Sequence, residues 1–248
     1  MRPPKRSTMI HVENLTKVFN VRKRKHGILN RLAKPEFEKL KAVDDVSFSA
    51  AESEVLCLLG PNGAGKSTIM KIVCGLLQPT SGRVSVGETA PARQSGNIGL
   101  VLGRTMIYHR LTGYDNLEYY GMLYGVGDLE GRIEELSRLF GLGDWMGEYV
   151  EHYSNGMKSK LALARALIHD PDILLLDEPT LGLDVGVSKG IHEMILGLRK
   201  TVLLTTQDME EARTLSDRVV ILRDGRVTRE IGNPREVDIR REFMNEIS

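Results

Sequence analysis

Eight consecutive residues, Gly60-Pro61-Asn62-Gly63-Ala64-Gly65-Lys66-Ser67, fit the pattern GxxxxGK[ST] without departure. That spacing suits phosphate. Glycines let the backbone curl without Cβ clashes, so successive N–H groups converge on an anion. A helix opening at Lys66 turns its partly positive N-terminus to the same point. Lys66 is then placed to reach the β and γ phosphates of a nucleoside triphosphate, Ser67 to hold Mg2+, and Thr68 to bond a further phosphate oxygen. A second element, Leu174-Leu175-Leu176-Asp177-Glu178, ends an apolar run in two carboxylates. Asp177 can orient Mg2+ or its water, and Glu178 can act as general base on an attacking water. Together the two elements predict a P-loop ATPase working on ATP with Mg2+.

The surrounding sequence supplies the elements such a site needs. Val55-Leu56-Cys57-Leu58-Leu59 is a continuous apolar run, as expected of a strand buried on both faces. The spacing predicts strands at 42–48, 54–59, 83–86, 173–176 and 201–206, and a helix over 66–77. Residues 103–167 read as mostly helical. Leu117, Tyr120 and Tyr124 share one face there, and Ile133, Leu136, Leu139 and Phe140 another; both stripes are expected to be core. Ser154 is an expected N-cap for a helix reaching about Ile168, before Pro171. A further helix is expected over 191–198. Asp224-Gly225 between 218–222 and 226–231 signals a hairpin. Apolar strands alternating with helices indicate an α/β core with parallel strands.

Composition limits the class. A chain of 248 residues, 41% hydrophobic and 27% charged, is long enough for a full core and reads as folded and soluble. A net charge of +1 gives no global attraction to nucleic acid. No apolar run approaches the roughly 18 residues of a membrane span, and the basic start has no apolar segment behind it, so no secretory leader is expected. Cys57 and Cys74 have no metal-ligand spacing and are expected as buried thiols. Charge is nonetheless uneven: residues 17–41 carry nine Lys or Arg against two Glu, with Arg22-Lys23-Arg24-Lys25 at their head. This segment reads as a solvated loop, with contact to anionic lipid headgroups as the functional alternative.

A third element narrows the class. Tyr153-Ser154-Asn155-Gly156-Met157 resembles the ABC signature sequence LSGGQ, keeping the serine and the second glycine. The run Leu161-Ala162-Leu163-Ala164-Arg165-Ala166-Leu167 and the segment Asp177-Glu178-Pro179-Thr180, followed by Gly182-Leu183-Asp184, also resemble this family. The likeness covers about Ile10 to Arg226, with the motifs in order. The variant Tyr-Ser-x-Gly-Met, with Leu111-Thr112-Gly113-Tyr114-Asp115-Asn116-Leu117 upstream, is most similar to cassettes of drug, polysaccharide and other exporter-type transporters.

The resemblance implies a P-loop NTPase core of mixed, mostly parallel sheet flanked by helices, with an antiparallel β subdomain and an inserted α-helical subdomain. It divides the chain into core and β subdomain (about 10–102 and 168–231), helical subdomain (about 103–167) and C-terminal tail (232–248). It implies a head-to-tail dimer with a second cassette, identical or not. Ser154 and Gly156 of one subunit would contact the γ-phosphate on the other's loop, with Asp184 in the D-loop between them. Phe19 falls where the family stacks adenine. The implied partner is a separate transmembrane permease, met by loops near 104–109 and 148–152 at the cytoplasmic face of the membrane; no nucleic acid is expected.

Two positions depart from the family pattern. Gly103 stands where a glutamine is usual, and Gln207 where a switch histidine is usual. Gln207 can hydrogen-bond but cannot carry a proton, so slow hydrolysis is expected, since losing a transition-state donor typically costs about 10²–10³ in rate. The losses also permit a degenerate half of a heterodimer. A soluble ABC ATPase acting on ribosomes or DNA is the alternative from another class; the single cassette and the absence of sustained heptads disfavour it. A P-loop kinase would leave the signature helix unexplained.

Overall fold

A computed structural model describes residues 7–22, 37–87, 90, 95–103 and 106–247. Lys23–Lys25 of the basic block, and Arg104 and Thr105 of the first expected permease loop, lie outside them. The apolar runs become the middle of a six-stranded sheet. Strands β3 (Val55–Leu59), β5 (Ile98–Leu102), β6 (Ile173–Asp177), β7 (Thr201–Thr206), β8 (Arg218–Arg223) and β9 (Arg226–Gly232) lie in the order β5-β6-β7-β3-β8-β9. All neighbours are parallel except β8 and β9, which form the hairpin signalled by Asp224-Gly225. A second, antiparallel sheet has the order β2-β1-β4, from β1 (Thr8–Arg22), β2 (Phe37–Ala51) and β4 (Ser81–Val86).

Strand β3 shows why its sequence is continuously apolar. Leu56 and Leu58 join a core with Ile69, Met70 and Val73 of helix α1 (Lys66–Val73) and with Ile10, Val12 and Phe48 of the antiparallel sheet. Val55, Cys57 and Leu59 join the other core, with Leu117, Ile133, Leu161, Ile191 and Leu215. Both faces are covered, so alternation disappears. Burial also pushes the Cys57 thiol well above its ordinary range, which makes it an inert core residue. Cys74, expected to be buried, is only partly so.

Three helices fill the middle of the chain: α2 (Gly113–Tyr124), α3 (Leu129–Phe140) and α4 (Asn155–Ala166). Each starts on a side-chain cap. Thr112 and Asp115 form a reciprocal capping box, Asp128 accepts from Gly131 N, and Ser154 accepts from Met157 N. Arg165 on α4 fastens the group to the sheet. Its guanidinium is buried, bonds the Leu100 carbonyl of β5, and lies 4.8 Å from the centroid of Tyr120. The remaining helices are α5 (Val185–Gly197), α6 (Met209–Leu215) and α7 (Ile239–Ile247).

Several expectations need correction. Helix α1 stops at Val73 rather than Leu77, because Gly75 takes φ 78° and its N–H returns to Ile72 O. Helix α5 starts at Val185 rather than Ile191, since Asp184 caps it. Strand β1 and helices α6 and α7 are not among the expected elements; β1 pairs with β2 and β4, and α7 buries Ile239 and Phe243 in the core. In the two expected core stripes Leu117, Ile133, Leu136 and Phe140 are buried, but Tyr124 and Leu139 are exposed. Tyr124 instead stacks on His169.

Candidate functional site

The 60–68 loop leaves the C-terminal end of β3, and three of its glycines have specific reasons to be glycine. A Cβ on Gly60 would stand 2.4 Å from Leu222 O. Gly63 and Gly65 take φ of 86° and 100°, and a Cβ on Gly65 would meet Ala42 O at 2.5 Å. Neighbouring strands therefore press on the loop from outside and fix its curl. Ala64 N donates to Pro61 O across it, while Asn62 is exposed at its tip. Lys66 is buried and folds over the loop, donating to Gly60 O at 2.7 Å and Pro61 O at 3.1 Å.

The end of β6 lies directly opposite. Asp177 Oδ1 accepts from Ser67 Oγ at 3.1 Å and from Thr205 Oγ1 at 2.5 Å. Ser67 and Asp177 thus present two hard oxygens side by side, next to a phosphate-type loop. Mg2+ takes one or two protein oxygens and completes its shell with phosphate oxygens and water, so the donor set fits. No cluster of three or more His, Cys, Asp or Glu that could cage a metal exists among the described residues. Thr68 is half-buried in the first turn of α1.

Glu178 adopts a left-handed conformation, φ 51°, rare for a residue with a Cβ. Its N–H donates to Thr205 O, and its carboxylate lies 3.4 Å from Lys66 Nζ. Burial holds this carboxyl above its ordinary range; Lys66 opposes the shift, and the negative charges of Glu211 and Asp177 add to it. Glu178 and the exposed Gln207 line one cleft of about 1100 Å³. Gly103 donates its N–H to Asp177 O and, with Glu178, lines a neighbouring cavity of about 380 Å³.

The other expected site residues lie elsewhere. Ser154 and Gly156 open α4, and no hydrogen bond or ion pair joins them to the 60–68 loop among the described residues. A Cβ on Gly156 would stand 2.6 Å from Val187 Cγ1 of α5. Asp184 accepts from Val187 N as the cap of that helix. Phe19 is half-buried on β1 opposite Leu40, with the Lys17 ammonium 5.2 Å from its centroid; it is not a core phenylalanine. Sequence reasoning missed Thr205 as the second partner of Asp177. Its signal was a pair of hydroxyls, Thr205-Thr206, closing a strand whose middle, Val202-Leu203-Leu204, is apolar.

A phosphate-type loop after a central strand, with adjacent carboxylates at the same end of the sheet one strand further over, makes this a P-loop nucleoside triphosphatase. The helical group carrying Ser154 and Gly156 is the further mark. Residues 43–181 match the family model described as ABC transporter, and the chain belongs to that family. It is an ATP-binding, ATP-hydrolysing subunit of the ABC type. It is 43% identical over 198 residues to the ABC transporter ATP-binding protein NatA of Bacillus subtilis (strain 168), covering 76% of this chain and 80% of that one. It is 38% identical to the fluoroquinolones export ATP-binding protein MT2762 of Mycobacterium tuberculosis (strain CDC 1551 / Oshkosh), over 81% and 68% of the two chains. It is 35% identical to the sulfate/thiosulfate import ATP-binding protein CysA of Pectobacterium atrosepticum, over 82% and 65%. The fold superposes on the dimeric, post-hydrolysis structure of the cassette MJ0796 bound to ADP and Pi with a TM-score of 0.77, at 27% identity, over 91% and 99% of the chains.

Proposed function

We propose that this chain powers an exporter by ATP-driven closure of two cassettes, each docked on a separate transmembrane permease. The carrying observation is the convergence on Asp177. One carboxylate oxygen receives Ser67 from the phosphate loop and Thr205 from β7, with Glu178 turned beside Lys66 in the next residue. Lys66 would exchange its two carbonyl acceptors for β and γ phosphate oxygens, a charge-assisted and therefore stronger pairing. The backbone N–H groups of Asn62, Gly63 and Gly65 would donate to phosphate oxygens, with Gly60, Pro61 and Ala64 shaping the loop around them, and Thr68 would bond one of those oxygens. Phe19 would stack on the base. Ser67 and Asp177 would hold Mg2+, which supplies charge neutralisation between the β and γ phosphates when bound. Glu178 would accept the proton of the attacking water, and Gln207 would hydrogen-bond the γ-phosphate.

The second cassette would present Ser154 and Gly156 at the start of α4, a helix N-terminus facing an anion, with Asp184 at the junction. Hydrolysis removes the shared phosphate and the dimer opens. We divide the chain into core and β subdomain (about 10–102 and 168–231), helical subdomain (103–167) and tail (232–248). Tyr108, Trp145 and Tyr149 are exposed on the helical side and supply the permease surface. No helix of the described residues is long and apolar enough to cross a membrane; the proposed place of work, at the cytoplasmic face of the cell membrane, rests on docking to the permease. Export rests on relatives of the drug-export kind. Gly103 and Gln207 favour a second reading, a weaker half paired with a better cassette. Gel filtration of Glu178→Gln with Mg-ATP tests the dimer: a shift to twice the mass supports it, and a monomer at saturating ATP overturns it for the homodimer. If added partner cassette then restores the shift, the heterodimer is correct.

A further inference from the structure

The cleft beside Glu178 contains a polar cluster that the hydrolytic scheme does not use. Glu211 on α6 is buried, 4% exposed. Its Oε1 accepts from Thr180 Oγ1 at 2.6 Å and lies 3.3 Å from His192 Nε2 on α5. Among the described residues, His192 is the one basic side chain within ion-pair distance of it. Each of the three groups sits on a segment that adjoins the site. Thr180 lies two residues after Glu178, in a turn closed by Leu181 N to Glu178 O and Leu183 N to Thr180 O. Glu211 lies in the first turn of α6, whose cap Asp208 directly follows Gln207 and bonds the Glu210 and Glu211 amides. His192 stands two turns into α5, the helix capped by Asp184.

A buried carboxylate costs stability unless its partners satisfy it, so this one holds its three elements together. Resting on the ATPase reading above, we propose that Thr180, Glu211 and His192 form a positioning unit that keeps the segment after Glu178 in register with the segment after Gln207. Gln207 cannot fix its own place by charge. The register is set instead by Glu211 one helical turn later, which grips the Glu178 turn through the Thr180 hydroxyl and is balanced by the imidazole of His192.

The test compares Thr180→Val, which keeps the shape and removes the hydroxyl, with Thr180→Ser, which restores it. Steady-state Mg-ATP hydrolysis and amide hydrogen exchange across 207–212 are read on the full chain. The expected result is a kcat about 10-fold lower for Thr180→Val with KM within about twofold, faster exchange of the Glu210 and Glu211 amides, and recovery of both in Thr180→Ser. His192→Ala should lower kcat similarly, and the double variant Thr180→Val with His192→Ala should fall no further than the worse single, because both act through Glu211. Unchanged kcat and unchanged exchange in Thr180→Val, or Thr180→Ser no better than Thr180→Val, overturns the proposal; so do fully multiplicative losses. Exchange reads the unit even where turnover is too slow to divide. Glu178→Gln run in parallel separates the two ideas: if it hydrolyses ATP as fast as wild type, the assignment of the base fails, not the unit.

Discussion

Substituting Gly156 by alanine asks whether the signature-like glycine serves packing within the chain as well as a partner's phosphate. The added methyl would stand 2.6 Å from Val187 Cγ1 and 3.5 Å from Cγ2. Carbon atoms settle at about 3.5–4.0 Å, so the starts of α4 and α5 must part by roughly 1 Å. Val187 gives little, since a β-branched side chain is stiff at χ1 and its own N–H is held by Asp184. Overpacking of this kind costs about 1–3 kcal/mol. Replacing a helical glycine by alanine returns up to about 1 kcal/mol. The middle of the first range less the whole of the second leaves a net loss of about 1 kcal/mol, which for a chain of this size lowers Tm by roughly 2–4 °C. Thermal melts of Gly156→Ala, Val187→Ala and the double variant measure it. The double variant should melt no lower than Val187→Ala alone, because the offending methyls are gone. A Gly156→Ala protein as stable as wild type, or two penalties that simply add, would refute the reasoning. A double variant that regains its Tm but still fails to dimerise on Mg-ATP would separate the phosphate role of Gly156 from its packing role.

Lys66→Ala should lose ATP binding altogether in equilibrium titration, since its ammonium is the buried cation of the phosphate loop; retained affinity within about threefold contradicts that role. Glu178→Gln should bind ATP normally while turnover falls by at least about 10², measured by phosphate release. Because burial raises the Glu178 pKa, the general base is lost on acidification earlier than an ordinary carboxylate would be, and the acid limb of kcat should lie above pH 4.5, the ordinary value; a limb at or below it removes Glu178 as the base. The same sign governs stability. A carboxyl that holds its proton more tightly when folded weakens the fold as pH rises through its raised pKa, so Glu178→Gln should melt higher than wild type at neutral pH and lose that advantage in acid. Gln207→His should raise kcat by at least about tenfold, since a histidine can carry the proton or charge that Gln207 cannot; no gain places the rate limit elsewhere.

The phosphate loop, the Asp177-Glu178 pair, the central strands and the capped start of α4 are legible in the amino-acid sequence alone. Those features are local: a glycine pattern, an apolar run and a cap are read over a few residues, and the physics that demands them acts over the same few residues. Other features come from packing between distant segments. Strand β1 exists because β2 and β4 pair with it, and Glu178 is left-handed because its N–H is drawn to Thr205 on a neighbouring strand. The second partner of Asp177 comes from Thr205, 28 residues away, and Glu211 meets Thr180 across 31. Such contacts depend on how strands are ordered in the sheet, and that order is set by which apolar faces cover one another, a property no single window of sequence contains.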